Sequence, residues 1–309
     1  MHVLVTGSSG LIGTALVDTL VTGGHQVTRL VRRTAVPGPR PDGITDVRWD
    51  PAKGTIDSAS LAEGATIDGV VHLAGAGVGD KRWTPARKQV ILTSRTDSTG
   101  LLVATLADLP TPPPVLVSAS AVGYYGDRGE DVLDEDSPAG HGFLADVCVA
   151  WEASAAPATA AGIRTVVLRT GIVLSGSGGA LGKQLPLFRL GVGGKIGSGR
   201  QYRSWITLDD HVGAVLHCIT DPSLSGPVNA TAPHPATDAE LAKALGAALH
   251  RPSFVAVPTP ALKLVLGAEM AADMVLASQR VLPARLTAAG YRFAHTDLDE
   301  AVRSVLAAS

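Results

Sequence analysis

The run Gly7-Ser8-Ser9-Gly10-Leu11-Ile12-Gly13 joins a β-branched stretch, His2–Thr6, to an amphipathic stretch from Leu11 to Thr22. Glycines in a strand-to-helix turn let backbone approach a pyrophosphate, and a helix N-terminus offers unpaired N–H groups and a positive dipole end. The spacing is T-G-x-x-G-x-x-G, with a strand before it and a helix after it, which is the context such a turn requires. It predicts a dinucleotide cradle built from Gly7, Ser9, Gly10, Leu11, Ile12 and Gly13. The second strand, Gln26–Val31, ends in Arg32 and Arg33. An acid at this strand end selects the ribose 2′-hydroxyl of NAD, whereas arginine accommodates the 2′-phosphate of NADP. With two arginines and no acid, NADP is the expected coenzyme.

A second group of reactive side chains follows the strand Val115–Ser118. Ser118 and Ser120 stand at its carboxyl end, where a hydroxyl can bind a substrate carbonyl or hydroxyl. Tyr124 and Tyr125 come next as candidate proton-transfer groups. A tyrosine with a pKa near ~10 needs a nearby cation to act at neutral pH. Lys81 and Arg82 are the candidates for that cation. A third group, Arg200, Gln201, Tyr202 and Trp205, mixes cations with aromatics behind the glycines of 191–199. It is the expected substrate-binding stretch, suited to an anionic or aromatic ligand.

The elements that must position these groups alternate. Gly69–Leu73 is a near-continuous apolar run, as in a parallel strand buried on both faces. It ends in the small residues Ala74-Gly75-Ala76-Gly77. Long helical patterns cover Pro85–Leu109 and Phe143–Ala161, and a strand covers Thr165–Leu168. Alternation of strand and helix up to residue 174 predicts a Rossmann-like, doubly wound parallel sheet of the α/β class. In such sheets ligands bind at the carboxyl ends of the strands. That adds Leu73, Ala74, Gly75, Ser118, Arg169, Gly171 and Ile172 to the expected coenzyme contacts. Residues 1–174 are expected to form the NADP-binding domain, the chain returning to it at about 204–230. Residues 175–309 are expected to form a smaller α+β, substrate-side and C-terminal region. It includes helices at 209–220, 237–249, 261–276 and 297–307. A Pro/Gly-rich loop is expected at 34–46, and the acids between Asp127 and Asp136 read as a solvated lid edge.

The 309 residues carry a net charge of −2 and are 45% hydrophobic, so a sizeable core is expected and a broad nucleic-acid-binding or membrane-binding surface is not. No apolar run approaches the ~18 residues of a membrane span. The chain enters its first strand without a basic leader, and a cytoplasmic protein is expected. Cys148 and Cys218 fall in helical patterns as buried small side chains, and the nine histidines show no metal-ligand spacing.

The whole chain resembles the extended short-chain dehydrogenases/reductases. More narrowly it resembles their atypical nucleoside-diphosphate-sugar epimerase-like family, some members of which carry a cell-division-inhibitor label. The stretches that carry the likeness include TGSSGLIG at 6–13, VVHLAGAGVGDKRW at 70–83, SASAVGYYGDRG at 118–129, FLADVCVAWE at 143–152 and LRTGIVLSGSGGAL at 168–181. GSGRQYRSWITLDD at 197–210 and HRPSFVAVP at 250–258 extend it to the C-terminal segment. The resemblance implies NADP binding, with Arg95 on the long helix that passes under the coenzyme, and hydride chemistry on a small carbonyl or carbinol substrate, a sugar nucleotide among the candidates. It implies a monomer, or a homodimer through the helices at 85–109 and 143–161.

The usual mechanism of that superfamily uses a Tyr-x-x-x-Lys pair on one helix face. Aligned on the helix ending at Glu152, this chain has Leu144 at the tyrosine position and Cys148 at the lysine position. Four residues after Tyr125, Tyr202 and Tyr291 stand Gly129, Ile206 and His295. Only Tyr124 has a cation at that spacing, Arg128. Two further readings follow from the lost pair: a catalytically silent NADP-binding redox sensor or partner-binding protein, and a sugar-nucleotide-binding module without redox chemistry.

Overall fold

The computed structural model describes residues 1–33 and 42–307, so residues 34–41 of the expected Pro/Gly-rich loop lie outside the described residues. The chain opens with β1 (His2–Thr6), α1 (Leu11–Thr22), β2 (Gln26–Val31) and β3 (Ile44–Asp50), followed by a short β4 (Thr55–Ile56) and α2 (Ser58–Ala62). Then come β5 (Gly69–His72), the long α3 (Pro85–Ala107) and β6 (Val115–Ala121). A 3-10 turn, Val122–Tyr125, leads through β7 (Val132–Leu133) to α4 (Phe143–Ala155), α5 (Pro157–Ala160) and β8 (Arg164–Thr170). Pro157 lacks the N–H that would continue α4, so the expected single helix divides there.

These strands form an eight-stranded sheet in the order β12-β8-β6-β5-β1-β2-β3-β4, where β12 is Gly226–Ala230. All neighbours are parallel except β4, which runs against β3. Alternate side chains explain the layering, because a strand's period of two sends neighbours to opposite faces. Val3, Val5, Val71 and Val117 pack on one face against Leu16, Val17 and Leu20 of α1. Leu4, Val70 and Leu116 pack on the other against Leu102, Val103 and Leu106 of α3. Strand order reverses between β1 and β5, and that crevice is the place where such sheets hold ligands.

After β8 come β9 (Ile172–Leu174), α6 (Gly179–Arg189), β10 (Tyr202–Arg203), β11 (Trp205–Thr207) and α7 (Leu208–Thr220). The chain then enters β12 at the edge of the large sheet and leaves it again for β13 (Ala236–Thr237) and α8 (Asp238–Ala248). Thr237 and Glu240 close the expected capping box at the start of α8. A separate core joins Leu174, Trp205, Leu241, Leu245 and Val302.

The helix expected over 261–276 is not one helix. It is α9 (Thr259–Leu266), α10 (Ala268–Ala271) and a π-helical turn, Ala272–Leu276. Gly267 takes φ +93, a left-handed conformation that glycine alone adopts without strain, and the helix axis breaks there. The chain finishes with β14 (Arg280–Val281), which pairs with β7, then α11 (Ala284–Ala288) and α12 (Leu298–Ala307). No described helix is long and apolar enough to cross a membrane.

Two histidines sit fully inside this fold. His72 bonds Thr6 at 2.8 Å and Thr99 at 3.0 Å, and His211 bonds Thr170 at 2.9 Å. Burial disfavours the imidazolium and lowers the pKa of each from 6.5 to about 4. Between those values the unfolded chain binds protons that the folded chain refuses. Stability is therefore complete above pH 6.5 and is lost as pH falls toward 4. We expect His211→Gln to flatten the acid limb of a denaturation-free-energy profile by about 1.4 kcal/mol per pH unit. A slope identical to that of the parent chain would contradict the account.

Candidate functional site

The cradle at the β1/β5 crevice is shaped by contacts that exclude a Cβ. Gly7 has φ +67, and a Cβ on it would lie 2.8 Å from the carbonyl carbon and oxygen of Leu73. A Cβ on Gly13 would lie 2.2 Å from the Gly7 oxygen. Thr6 ties the two strands together, its Oγ1 accepting from the Leu73 amide at 3.1 Å and the Ala74 amide at 3.2 Å. Gly10 caps α1 without a side-chain bond to the first turn, so the leading amides of α1 are left for a ligand. The structure thus brings Gly7, Gly10, Leu11, Ile12, Gly13, Leu73, Ala74 and Gly75 to one place, with Ser9 exposed on the turn. Arg95 lies across Gly75, 3.2 Å from where a Cβ would stand, and donates to the carbonyls of Ala76 and Ile91, both at 3.0 Å.

The two arginines after β2 differ. Arg33 is held by Asp46 at 2.9 Å, and Arg29 by the other oxygen of the same carboxylate at 2.7 Å. Arg32 is exposed and has no ion-pair partner among the described residues. Asp46, fully covered at its side chain, was not legible as a partner because it lies on β3, beyond an intervening loop.

Next to the cradle is a cavity of about 210 Å³. Val78 and Arg95 line one side, and Ala121, Val122 and Gly123 the floor. α4 contributes Leu144, Val147, Cys148 and Trp151. Gly171, Ile172, Tyr202, Arg203 and Ser204 close the far side, and Asp273, Met274 and Gln279 cover it from the C-terminal segment. The positions aligned with the superfamily's tyrosine and lysine therefore both face the cavity, and they present an alkyl group and a thiol. Burial pushes the Cys148 thiol up to about 11, with the Glu152 charge adding to the shift, so it stays protonated at neutral pH. The Arg95 guanidinium stacks on Trp151 at 4.9 Å, and burial lowers its pKa.

Beneath the cavity runs a buried polar chain. Ser120 donates to Glu152 at 2.7 Å. Glu152 receives two bonds from Arg169, from Nε and Nη2, each at 2.9 Å. Arg169 stacks 3.4 Å over the Tyr124 ring and donates to the Tyr125 hydroxyl at 3.0 Å. Tyr125 in turn donates to Asn229 Oδ1 at 2.7 Å, and the Asn229 amide N–H donates to Glu135 at 3.0 Å. Glu135 is only 4% exposed, so this member of the acidic run is a core group rather than part of a solvated edge.

Several sequence-based expectations take different positions. Tyr125 is fully buried, and burial raises its pKa to about 12. It braces the fold and does not reach the cavity. Tyr124 lies under Arg169, outside the lining. Ser118 and Ser120 are both buried, Ser120 being committed to Glu152. Arg169, expected against coenzyme, is instead clamped on Glu152, while Gly171 and Ile172 do line the cavity. Trp205, expected to touch substrate, is fully buried and donates to the His234 carbonyl at 3.0 Å. Gln201 donates inward to the Ile196 carbonyl at 3.0 Å. Arg200 is exposed, and Tyr202 faces the cavity. Lys81 and Arg82 are exposed and outside the lining. Sequence reasoning missed Glu152, although it lies one helical turn past Cys148, and missed Asp273, for which no local signal exists.

Residues 3–230 match the NAD dependent epimerase/dehydratase family, and residues 257–305 match a domain of unknown function (DUF1731). An epimerase family protein of Mycobacterium tuberculosis is 43% identical over 97% of this chain and 96% of its own. The crystal structure of human epimerase family protein SDR39U1 with NADPH is similar with a TM-score of 0.86 at 35% identity, covering 99% of both chains. That of the nucleoside-diphosphate sugar epimerase from Corynebacterium glutamicum has a TM-score of 0.78 at 38% identity, covering 99% of this chain and 58% of that one.

The Glu152–Arg169 pair yields a direct expectation. Glu152→Ala leaves a guanidinium that is 4% exposed without its counter-charge, a change that costs about 3–5 kcal/mol. Urea denaturation of the variant should show that loss. A loss under ~1 kcal/mol would mean that the pair does not hold α4 against β8.

Proposed function

The chain belongs to the NAD dependent epimerase/dehydratase family, and from that premise we propose that it is an NADP-binding protein whose cavity performs hydride chemistry on a small carbonyl or carbinol compound. The observation that carries this reading is the Cβ-free cradle, in which Gly7 and Gly13 are pressed against Leu73 and each other at the point where strand order reverses. A pyrophosphate fits there on the free amides of α1. Arg32 extends from the end of β2, where a 2′-phosphate is read. The bound coenzyme would supply or take hydride at the substrate carbon.

The chain's own residues do the rest. Arg95 braces the small-residue exit of β5 through the Ala76 carbonyl. Leu144, Val147, Ile172 and Met274 exclude water from the reacting carbon, which strengthens every polar contact inside. Arg203 stands in the lining, held by Asp238 at 3.1 Å, and gives the cavity a fixed positive wall. A cavity of about 210 Å³ takes the reacting part of a substrate, and a nucleotide portion would run out past the exposed Arg200. The human protein crystallised with NADPH supports the choice of phosphorylated coenzyme.

A second reading has one observation in its favour. Leu144 and Cys148 occupy the dyad positions, which suits a protein that binds NADP and reports redox state without turnover. NADPH binding together with the absence of any carbonyl reduction would select it.

Fluorescence titration with NADPH and NADH tests the coenzyme assignment. Arg32→Ala should weaken NADPH binding at least tenfold, since a hydrogen bond to a charged group is worth about 1.5–3 kcal/mol, and should leave NADH unchanged. Arg33→Ala should do less, because Asp46 already holds that side chain. A parent chain that prefers NADH would overturn the assignment.

A further inference from the structure

The tyrosine position of α4 holds Leu144, yet a carboxyl group stands beside it. It comes from the C-terminal segment, 129 residues further along the chain. Asp273 Oδ2 accepts from the Leu144 amide at 3.5 Å. α4 has no side-chain cap from its own preceding residue, Gly142, which adopts φ +107. A Cβ on Gly142 would lie 2.9 Å from Asp273 Oδ2, so glycine there leaves room for the carboxyl. The carboxyl is carried by the π-helical turn Ala272–Leu276, a distortion that recurs at functional sites and here sends Asp273 and Met274 into the cavity wall. Asp273 is the one carboxyl among the described lining residues.

We propose that Asp273 is the catalytic proton-transfer residue of this site, supplied by the C-terminal segment in place of the missing tyrosine. The proposal rests on the hydride chemistry proposed above. In the reducing direction the carbonyl carbon gains a hydride and the C=O π pair moves onto oxygen. That oxygen takes the proton of the Asp273 carboxyl, giving an alcohol and a carboxylate. The nicotinamide coenzyme is oxidised, the carbonyl is reduced, and water returns the proton to Asp273. The reverse order serves a carbinol.

Opposing influences act on this carboxyl. Burial raises the Asp273 pKa, with the Glu269 charge adding to it, while the Leu144 and Phe143 amides and Lys88 favour the carboxylate. Lys88 itself is held by Glu269 at 2.6 Å. The other titratable groups of the lining are Arg95, Cys148, Tyr202 and Arg203. The arginines are poor acids, and the thiol is pushed up to about 11.

The test uses the full chain. Asp273→Asn keeps an acceptor for the Leu144 amide, so α4 stays capped, but it cannot deliver a proton. With NADPH and 9,10-phenanthrenequinone as carbonyl probe, we expect kcat to fall about 100-fold or more with KM and NADPH affinity within twofold, and Asp273→Glu to recover part of the loss. In the coenzyme-free protein labelled with 13C at aspartate carboxyls, one resonance should titrate above the ordinary value of ~3.9 and should be missing from the Asn variant. Wild-type turnover by Asp273→Asn, or an Asp273 resonance titrating at or below the ordinary value, overturns the proposal. Failure of the parent chain to bind NADPH would defeat the coenzyme reading and this role with it, whereas NADPH binding with undiminished reduction by Asp273→Asn would defeat the role of Asp273 alone.

Discussion

The bidentate contact between Glu152 and Arg169 is the constraint on which the site's geometry rests. It joins α4 to β8, and both charges lie where water screens little, so neither can leave without stranding the other. Ser120 at the end of β6 bonds the same carboxylate, and the aromatic turn Val122–Tyr125 stacks under the same guanidinium. Through Tyr125 and Asn229 the contact reaches β12, the edge strand that arrives about sixty residues later by way of the C-terminal half. Five elements are thereby indexed to one ion pair. The wall of the cavity formed by Leu144 and Cys148 stands where this clamp puts it.

The division of labour across the cavity follows from the topology. A parallel sheet delivers the carboxyl ends of all its strands to one side, and the order reversal at β1 and β5 opens a crevice there. The sheet alone supplies a cradle and a floor. It does not supply a cover. That comes from β10, Ser204 and the turn at 272–276, which reach back over the strand ends. Ser278 secures the cover, its amide donating to Asp127 at 2.9 Å and its hydroxyl to the Gly129 carbonyl. Asp210 secures the tail beyond it by accepting from the amides of Ala294 and His295. The site is complete only when both halves of the chain are docked.

How much of this was legible in the sequence depends on the range of the interactions. The strands His2–Thr6 and Gln26–Val31, the helix from Leu11 and the capping box at Thr237 follow from local side-chain periodicity and local hydrogen bonding, and they stand where expected. The glycine cradle was legible for a similar reason, because a left-handed φ at Gly7 and the closeness of Gly13 are demands that only one residue type meets. The helix expected over 261–276 was not legible as three pieces. Its apolar spacing is helical throughout, and the break depends on what Gly267 and the π turn pack against.

By itself, then, the sequence determined a Rossmann-like sheet, a glycine turn between β1 and α1, and the placing of Leu144 and Cys148 four residues apart on one helix face. Each of these is written in contiguous residues or in spacing along one helix. Only the tertiary structure decided that Tyr125, Trp205 and Arg169 serve the core, and that Leu144, Cys148 and Asp273 line one cavity. The physical reason is burial and long-range pairing. A hydroxyl, an indole or a guanidinium has the same chemistry in a core as in a cleft. Its role is settled by partners such as Asn229, His234 and Glu152, which folding brings in from distant parts of the chain.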